Sequence, residues 1–343
     1  MSLKAVVLAA GEGTRMRPLT LRRPKVLVPV AGRPMIEHII TGLAAAGIEE
    51  ICLVIGYLGE QVVEAIGDGR RLGARVEYSW QRKRGGTGDA LLHAADFIGN
   101  EAFFLGWGDI MVPPASYGAI AEIVAAEQPE ALLSVNYVED PWEGAAVYVA
   151  DGHVQRIIEK PPRGSSATNF NNAGLFVLSP DFVEIVRSTP LSSRGELEVP
   201  SAIQTILEGG VPIRAYEIEG YWSDVARASE TLRIGGEIIS ARSRSGVIVH
   251  PDARLEASAR LEAPCLVGPG VAVGAARLGP NVCLMAGSSV GPGAELAHVA
   301  VYPCARVGRG CRLSHAIVEE RAAVPEGTSV EGSPTEAVVL EGS

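Results

Sequence analysis

Val267-Gly268-Pro269-Gly270-Val271-Ala272-Val273-Gly274 is followed, one short step later, by Val290-Gly291-Pro292-Gly293-Ala294-Glu295-Leu296. The two stretches share a period of six that continues on both sides. Aliphatic residues fall at Val249, Leu255, Leu261, Val267 and Val273; after a five-residue step they resume at Leu278, Leu284, Val290 and Leu296. A second short step leads to Val301, Val307 and Leu313, and a third to Val318, Val324 and Val330. The fourth residue after the aliphatic one is small, as at Ala253, Ala259, Cys265, Ser288, Ala294, Ala305 and Cys311. Neither an isolated strand nor a helix has this period. A repeat of one inward aliphatic and one inward small residue closes its core only by stacking on its neighbours. The spacing therefore implies a triangular β-helix with three hexads per turn and roughly five turns.

Towards the N-terminus the period changes. Short β-rich apolar runs at 4–10, 51–55, 73–79, 102–105 and 131–135 alternate with helical spacing at 34–46, 59–66, 88–97 and 116–127. This rhythm predicts an α/β domain with a Rossmann-like, mostly parallel sheet and helices on both faces. Ligands of such sheets bind beyond the carboxyl ends of the strands. From about Val138 the pattern turns to hairpins, with runs at 146–149 and 154–159 flanking Asp151-Gly152. A helix is expected over 224–240.

The 343 residues suit two domains, and 47% apolar with 20% charged residues supply an ordinary core. A net charge of −10 argues against nucleic acid or an anionic membrane as partner. No apolar run approaches the ~18 residues of a membrane span, and the run at 5–10 is too short for a signal peptide, so a cytoplasmic location is expected. The five cysteines form no C-x-x-C pair and are odd in number, which favours small buried hydrophobes over a zinc site or disulfide framework.

After the first strand the chain reads Leu8-Ala9-Ala10-Gly11-Glu12-Gly13-Thr14-Arg15-Met16-Arg17-Pro18-Leu19-Thr20, then Arg23-Pro24-Lys25. It is neither a Walker loop nor the dinucleotide fingerprint. It still suits phosphates: Gly11 and Gly13 admit a polyanion to backbone N–H groups, Arg15 can fork two oxygens, and Lys25 adds a point charge.

This segment resembles the signature of the sugar-1-phosphate nucleotidylyltransferases, which join a nucleoside triphosphate to a sugar 1-phosphate and release pyrophosphate. Many members carry a C-terminal hexapeptide repeat, so the resemblance covers the whole chain. It implies a nucleotidyltransferase domain over 1–236 and a left-handed parallel β-helix over 246–333. It also implies nucleotide contacts from Leu8, Ala10, Gly11, Gly13 and Thr14, and base recognition by Gln81 with Gly86 and Thr87. A glutamine amide can pair with a pyrimidine edge, whereas members using guanine more often carry glutamate there. Gly108-Asp109 and Gly220-Tyr221-Trp222-Ser223-Asp224 match the segments whose aspartates, here Asp109 and Asp224, hold Mg²⁺. Gly144, Glu159, Lys160, Asn172 and Glu198 fall on sugar and sugar-phosphate segments. Glu143 stands where the family has tyrosine, and Pro200-Ser201 replace Thr-Asp.

In this reading Arg15, Lys25 and Lys160 neutralise phosphate charge and no general base is needed. dTTP or UTP is favoured as donor and a hexose 1-phosphate as acceptor. The alternatives are a mannose-1-phosphate guanylyltransferase and a regulatory homologue that binds sugar nucleotides without turnover. Within the repeats, no lysine follows Lys160 and no acetyl-transfer segment is matched, so they read as structural and as mediating a homo-oligomer, a trimer or a dimer of dimers.

Overall fold

The computed structural model describes residues 3–192 and 194–342. The chain divides into two compact units. One comprises the chain up to Glu12 with Ile36–Asp224, the other Gly13–Met35 with the chain from Val225 onward.

The first unit is built on a nine-stranded sheet. Its strands are β1 (Lys4–Ala9), β2 (Glu50–Ile55), β3 (Arg75–Trp80), β4 (Phe103–Trp107), β5 (Ala131–Tyr137), β6 (Ala145–Ala150), β7 (His153–Glu159), β8 (Phe170–Leu178) and β9 (Ile213–Glu217), in the order β3-β2-β1-β4-β8-β5-β9-β7-β6. Strands β3, β2, β1 and β4 run parallel. They are joined by α1 (Met35–Ala45), α2 (Gly59–Ile66), α3 (Thr87–Leu92) and the short α4 (Ala95–Ile98). The expected single helix over 88–97 is thus two. The inner strands are apolar on both faces because helices cover both: Ala5, Val6 and Val7 are fully buried.

The sheet is mixed rather than mostly parallel. Strand β8 lies antiparallel to both β4 and β5. It follows the β6–β7 hairpin without a crossover helix, so nothing restores the common direction. Neither β8 nor β9 stood out in the sequence, and the helices at Phe182–Ser188 (α6) and Val199–Glu208 (α7), which follow α5 (Ala115–Glu127), were likewise unmarked. The helix expected from 224 starts four residues later, as α8 (Ala228–Arg242), because Ser223–Asp224 pairs as a strand with Ile110–Met111.

The second unit carries the hexapeptide region as short strands in parallel stacks. Val247–Val249, Cys265–Val267 and Val282–Leu284 form one stack, with Cys265 opposite Val282 of the next turn. A second runs through Arg254–Leu255, Ala272–Val273, Ser289–Val290, Arg306–Val307 and Ala323–Val324. A third begins with Arg260–Leu261 and Arg277–Leu278. In these stacks the partner strand lies one turn on, which is three hexads, shortened wherever a five-residue step intervenes, until Val338–Leu340 pairs with Arg312–Val318 from farther along the chain. The aliphatic ladder from Val267 to Val324 is buried throughout, whereas Val249 at the first turn is 42% exposed. Cys265 and Cys311 fill inward small positions, and burial pushes the thiol of Cys265 up to about 12. Cys304 departs from the expectation: it is exposed, at a corner with φ 59°.

The middle residues of the first stack point outward and are apolar: Ile248, Leu266, Cys283, Ala300, Ile317 and Val339. Helix α8 covers this face, lying against Val247–Val249, Cys265–Val267, Glu295–Val301 and Arg312–Val318. Among the described residues, no helix is long and apolar enough to cross a membrane.

Candidate active site

Strands β1 and β4 are parallel neighbours, so their carboxyl ends lie side by side. Leu8 pairs with Val54 and Trp107, and its carbonyl accepts a hydrogen bond from the Gly108 N–H at 2.9 Å. That bond fixes the turn carrying Asp109. The antiparallel pairing of Asp224 with Ile110 then sets Asp224 opposite the residue that follows Asp109, although the two aspartates are remote in sequence. Ala10 and Gly11 leave β1 at the same edge of the sheet. Beneath it Trp107 packs on Phe176, ring centroids 5.1 Å apart.

Gln81 follows β3 directly. Its side-chain amide nitrogen donates to Gly86 O at 3.0 Å and to an Asp89 carboxylate oxygen at 2.8 Å. Both amide hydrogens are therefore used within the protein, and the carbonyl oxygen is the group left for a ligand. The loop around Gly86 is bound to a distant segment: Leu197 N–H donates to Gly85 O (2.7 Å) and Gly88 N–H to Leu197 O (2.8 Å). The Thr87 hydroxyl accepts from Val199 N–H at 2.9 Å, so it anchors this segment. Gly86 has φ 98°, and a Cβ there would lie 2.2 Å from Leu197 O. Only glycine fits that contact.

Gly144, Glu159, Lys160, Asn172 and Glu198 gather about the β6–β7 hairpin and β8. Lys160 N–H donates to Gly144 O at 2.8 Å. A Cβ on Gly144 would lie 2.0 Å from Asn171 Oδ1, which accepts the Ala145 N–H. Asn171 also donates to Asn136 Oδ1 and to Asn172 O. Asn136 and Asn171 are buried, and this network holds the hairpin against β8. Asn172 Oδ1 accepts the Gly174 N–H (3.0 Å), and the Ser134 hydroxyl accepts from Leu175 N–H where β8 bulges. Lys160 adopts φ 42°, in the left-handed region that a long side chain rarely enters.

The Glu198 carboxylate pairs with Arg194 at 2.7 Å and accepts from the Ser192 hydroxyl. Glu159 is exposed as a residue, yet its carboxyl is set among other atoms. Loss of hydration raises its pKa above the ordinary glutamate value, the charge of Lys160 opposes this, and Glu198 adds to it. Asn136, Asn171 and Arg194 were not singled out in the sequence. Asn171 adjoins Asn172 and was the easiest to notice; the other two are polar residues that only the fold brings in.

Gly13, Thr14, Arg15 and Lys25, which the sequence marks as candidates for phosphate contact, belong to the second unit. Gly13 O accepts from Met16 N–H (2.9 Å) and the Thr20 hydroxyl (2.8 Å), closing a turn over Thr14–Met16. Met16 and Leu19 are buried and pin this turn, leaving Thr14 and Arg15 exposed. Lys25 is 8% exposed and opens a second turn, Lys25–Leu27.

Asp109 follows the carboxyl end of a parallel strand, where ligands of such sheets bind, and Asp224 pairs with the residue after it. The chain belongs to the Nucleotidyl transferase family, whose profile matches residues 4–238. The profile described as GlmU-like, C-terminal hexapeptide matches residues 248–337. Among its relatives is a glucose-1-phosphate thymidylyltransferase of Streptomyces griseus, 32% identical over 82% of each chain. Another is a protein of the same name from Streptomyces antibioticus, 30% identical over 87% of this chain and 88% of the relative. The solved structure of a UDP-glucose pyrophosphorylase complexed with UDP-glucose shares the fold, with a TM-score of 0.63 at 22% identity over 71% of this chain and all of the other. The protein is an enzyme of the nucleotidyltransferase class, a sugar-1-phosphate nucleotidylyltransferase acting on a nucleoside triphosphate and a sugar phosphate.

Proposed function

We propose that the chain transfers a pyrimidine nucleotidyl group, from dTTP or UTP, to glucose 1-phosphate. The observation that carries the base assignment is the bonding of Gln81. Its two donor hydrogens are engaged by Gly86 and Asp89, so it offers a base one acceptor. That matches the single N3–H of thymine or uracil. Guanine presents two adjacent donors, which a carboxylate would meet better. The names of the two Streptomyces relatives support glucose 1-phosphate and dTTP.

A sugar-phosphate oxygen attacks the α-phosphorus in line, forming a new O–P bond as the bond to pyrophosphate breaks. Nucleophile and electrophile are both anions, so the protein works by neutralisation and alignment. In this reading Arg15 takes the leaving pyrophosphate, Lys25 the α-phosphate and Lys160 the attacking phosphate. Leu8, Ala10, Gly11, Gly13 and Thr14 cradle the nucleotide with Gln81, Gly86 and Thr87; Gly144, Glu159, Asn172 and Glu198 hold the sugar. Asp109 and Asp224 would hold Mg²⁺. Two carboxylates, one on a strand and one in the turn leading into its partner strand, suit an ion that leaves its other positions to phosphate oxygens and water. No group of three or more potential ligands occurs among the described residues, so substrate and water would complete the shell. When bound, the ion supplies further neutralisation of phosphate charge.

We read residues 246–333 as a left-handed triangular β-helix after a catalytic region over 1–236, and the assembly as a trimer or dimer of dimers in the cytoplasm. Three parallel stacks, each pairing a strand with its counterpart one turn on, support the coil.

The test is pyrophosphate release with Mg²⁺ over dTTP, UTP and GTP, each with glucose, N-acetylglucosamine and mannose 1-phosphates. A signal confined to the pyrimidine wells with glucose 1-phosphate is expected. GTP with mannose 1-phosphate would instead favour the guanylyltransferase alternative. Asp109→Asn should abolish turnover with an unchanged circular dichroism spectrum; a near-normal rate would sink the metal assignment.

A further inference from the structure

We infer that Glu319, on the C-terminal repeats, is a positioning residue for the phosphate-binding segment and acts through Arg23. Arg23 Nη2 meets Glu319 Oε2 at 2.7 Å, with side chains only 18% and 16% exposed. The guanidinium also lies over the Tyr302 ring, 5.2 Å from its centroid. Tyr302 is fully buried. Tyr302 and Glu319 directly follow the paired residues Val301 and Val318, so they occupy equivalent corners of consecutive turns. Tyr302 N–H donates to Val318 O at 2.9 Å. The clamp is thus built into two turns of the repeat.

Arg23 immediately precedes Pro24 and Lys25. Proline fixes φ at the one residue between the clamp and the lysine, and Pro24 sits at φ −59°. Pro24 O then accepts the Leu27 N–H and Lys25 O the Val28 N–H, both at 3.0 Å. Holding Arg23 therefore sets the direction in which Lys25 leaves the chain. Farther along, Arg242 Nη1 donates to Ala31 O at 3.3 Å and ties down the other end of the segment. A phosphate-facing lysine works only if it is aligned, and an ion pair withdrawn from water holds its geometry far better than an exposed one. The repeats thereby become part of the transfer machinery instead of an appendage to it. Nothing in the signature Arg-Pro-Lys alone says that its arginine faces the repeats and not the nucleotide.

The inference rests on Lys25 facing phosphate in the proposed reaction. The experiment uses full-length Glu319→Gln and the exchanged pair Arg23→Glu with Glu319→Arg. Initial rates are measured with dTTP varied at saturating glucose 1-phosphate, and the reverse. Glu319→Gln should raise KM for dTTP about tenfold and lower kcat, while KM for glucose 1-phosphate stays within about twofold. The exchanged pair should recover most of the dTTP effect. A plain loss of folded enzyme would lower kcat with both KM values unchanged; that result, or no change at all, overturns the clamp. Should the wild type release no pyrophosphate with any pair, the transferase reading falls on its own. The dissociation constant of dTTP by calorimetry then decides the clamp: about a tenfold weakening in Glu319→Gln supports it, and equal constants overturn it.

Discussion

Lys160 stands in the left-handed region at φ 42°, immediately after a carboxyl whose ionisation the fold disfavours. Both features cost stability, and they adjoin each other among the residues proposed to hold the sugar phosphate. Strain and unfavourable charge persist where function requires them. For Glu159 the sign follows from linkage. Its folded pKa lies above the unfolded value near ~4.3, so ionisation opposes folding. That penalty is absent below the unfolded value and fully present once the pH exceeds the folded one. Glu159→Gln should therefore raise the melting temperature at pH 7 and leave it unchanged near pH 3.5, while KM for the sugar phosphate rises. Equal shifts at both pH values would show that the carboxyl's charge is not the cause.

At the scale of elements, the site depends on joints between segments remote in sequence. The 85–88 turn exchanges two backbone bonds with Leu197, and Gly86 makes this close approach possible. Gly86→Ala puts a methyl group into Leu197 O and forces a backbone conformation open essentially to glycine alone. A cost of about 3 kcal/mol or more is expected, from the strain and the lost loop bonds together. Chemical denaturation measures it directly, and a cost below about 1 kcal/mol would mean that the two segments part easily. A comparable joint made of side chains is the Asn136–Asn171 pair between β5 and β8, whose Asn171 also accepts the Ala145 N–H of the hairpin. In the repeats the corner residues form joints as well: His298 and His315 both adopt positive φ and stack with ring centroids 4.4 Å apart.

At the scale of the whole molecule, one face of the repeats is apolar outward as well as inward, and α8 covers it. Helix α8 and the segment proposed to bind phosphate belong to the same compact unit as the repeats. A chain ending at residue 245 would lose every contact of α8 with the repeats, and this helix buries Leu232, Ile234, Ile238 and Ile239 in the full chain. Burying such a side chain contributes about 1.5–3 kcal/mol. The truncated chain should aggregate on size exclusion and fail to bind dTTP. A monodisperse, active fragment would show instead that the repeats are dispensable.

Much of this was legible in the sequence, and the reason is locality. A hexad needs only its own six residues to declare which side chain faces inward, so the ladder from Val267 to Val324 could be read off directly. The parallel strands β1, β2 and β4 announced themselves because helices on both faces demand unbroken apolar runs. The glycine-rich loop and the two aspartates of the proposed site stand in short motifs. What the tertiary structure alone decided involves pairs far apart in the chain. Strand direction at β8 depends on how the chain returns from a hairpin, which no local period encodes. The register that sets Asp224 beside Ile110, the engagement of both Gln81 hydrogens by Gly86 and Asp89, and the meeting of Arg23 with Glu319 each join partners that are polar and inconspicuous by themselves. Apolar periodicity marks what is buried, but hydrogen bonds and ion pairs take their strength from geometry, and geometry exists only once the chain has folded.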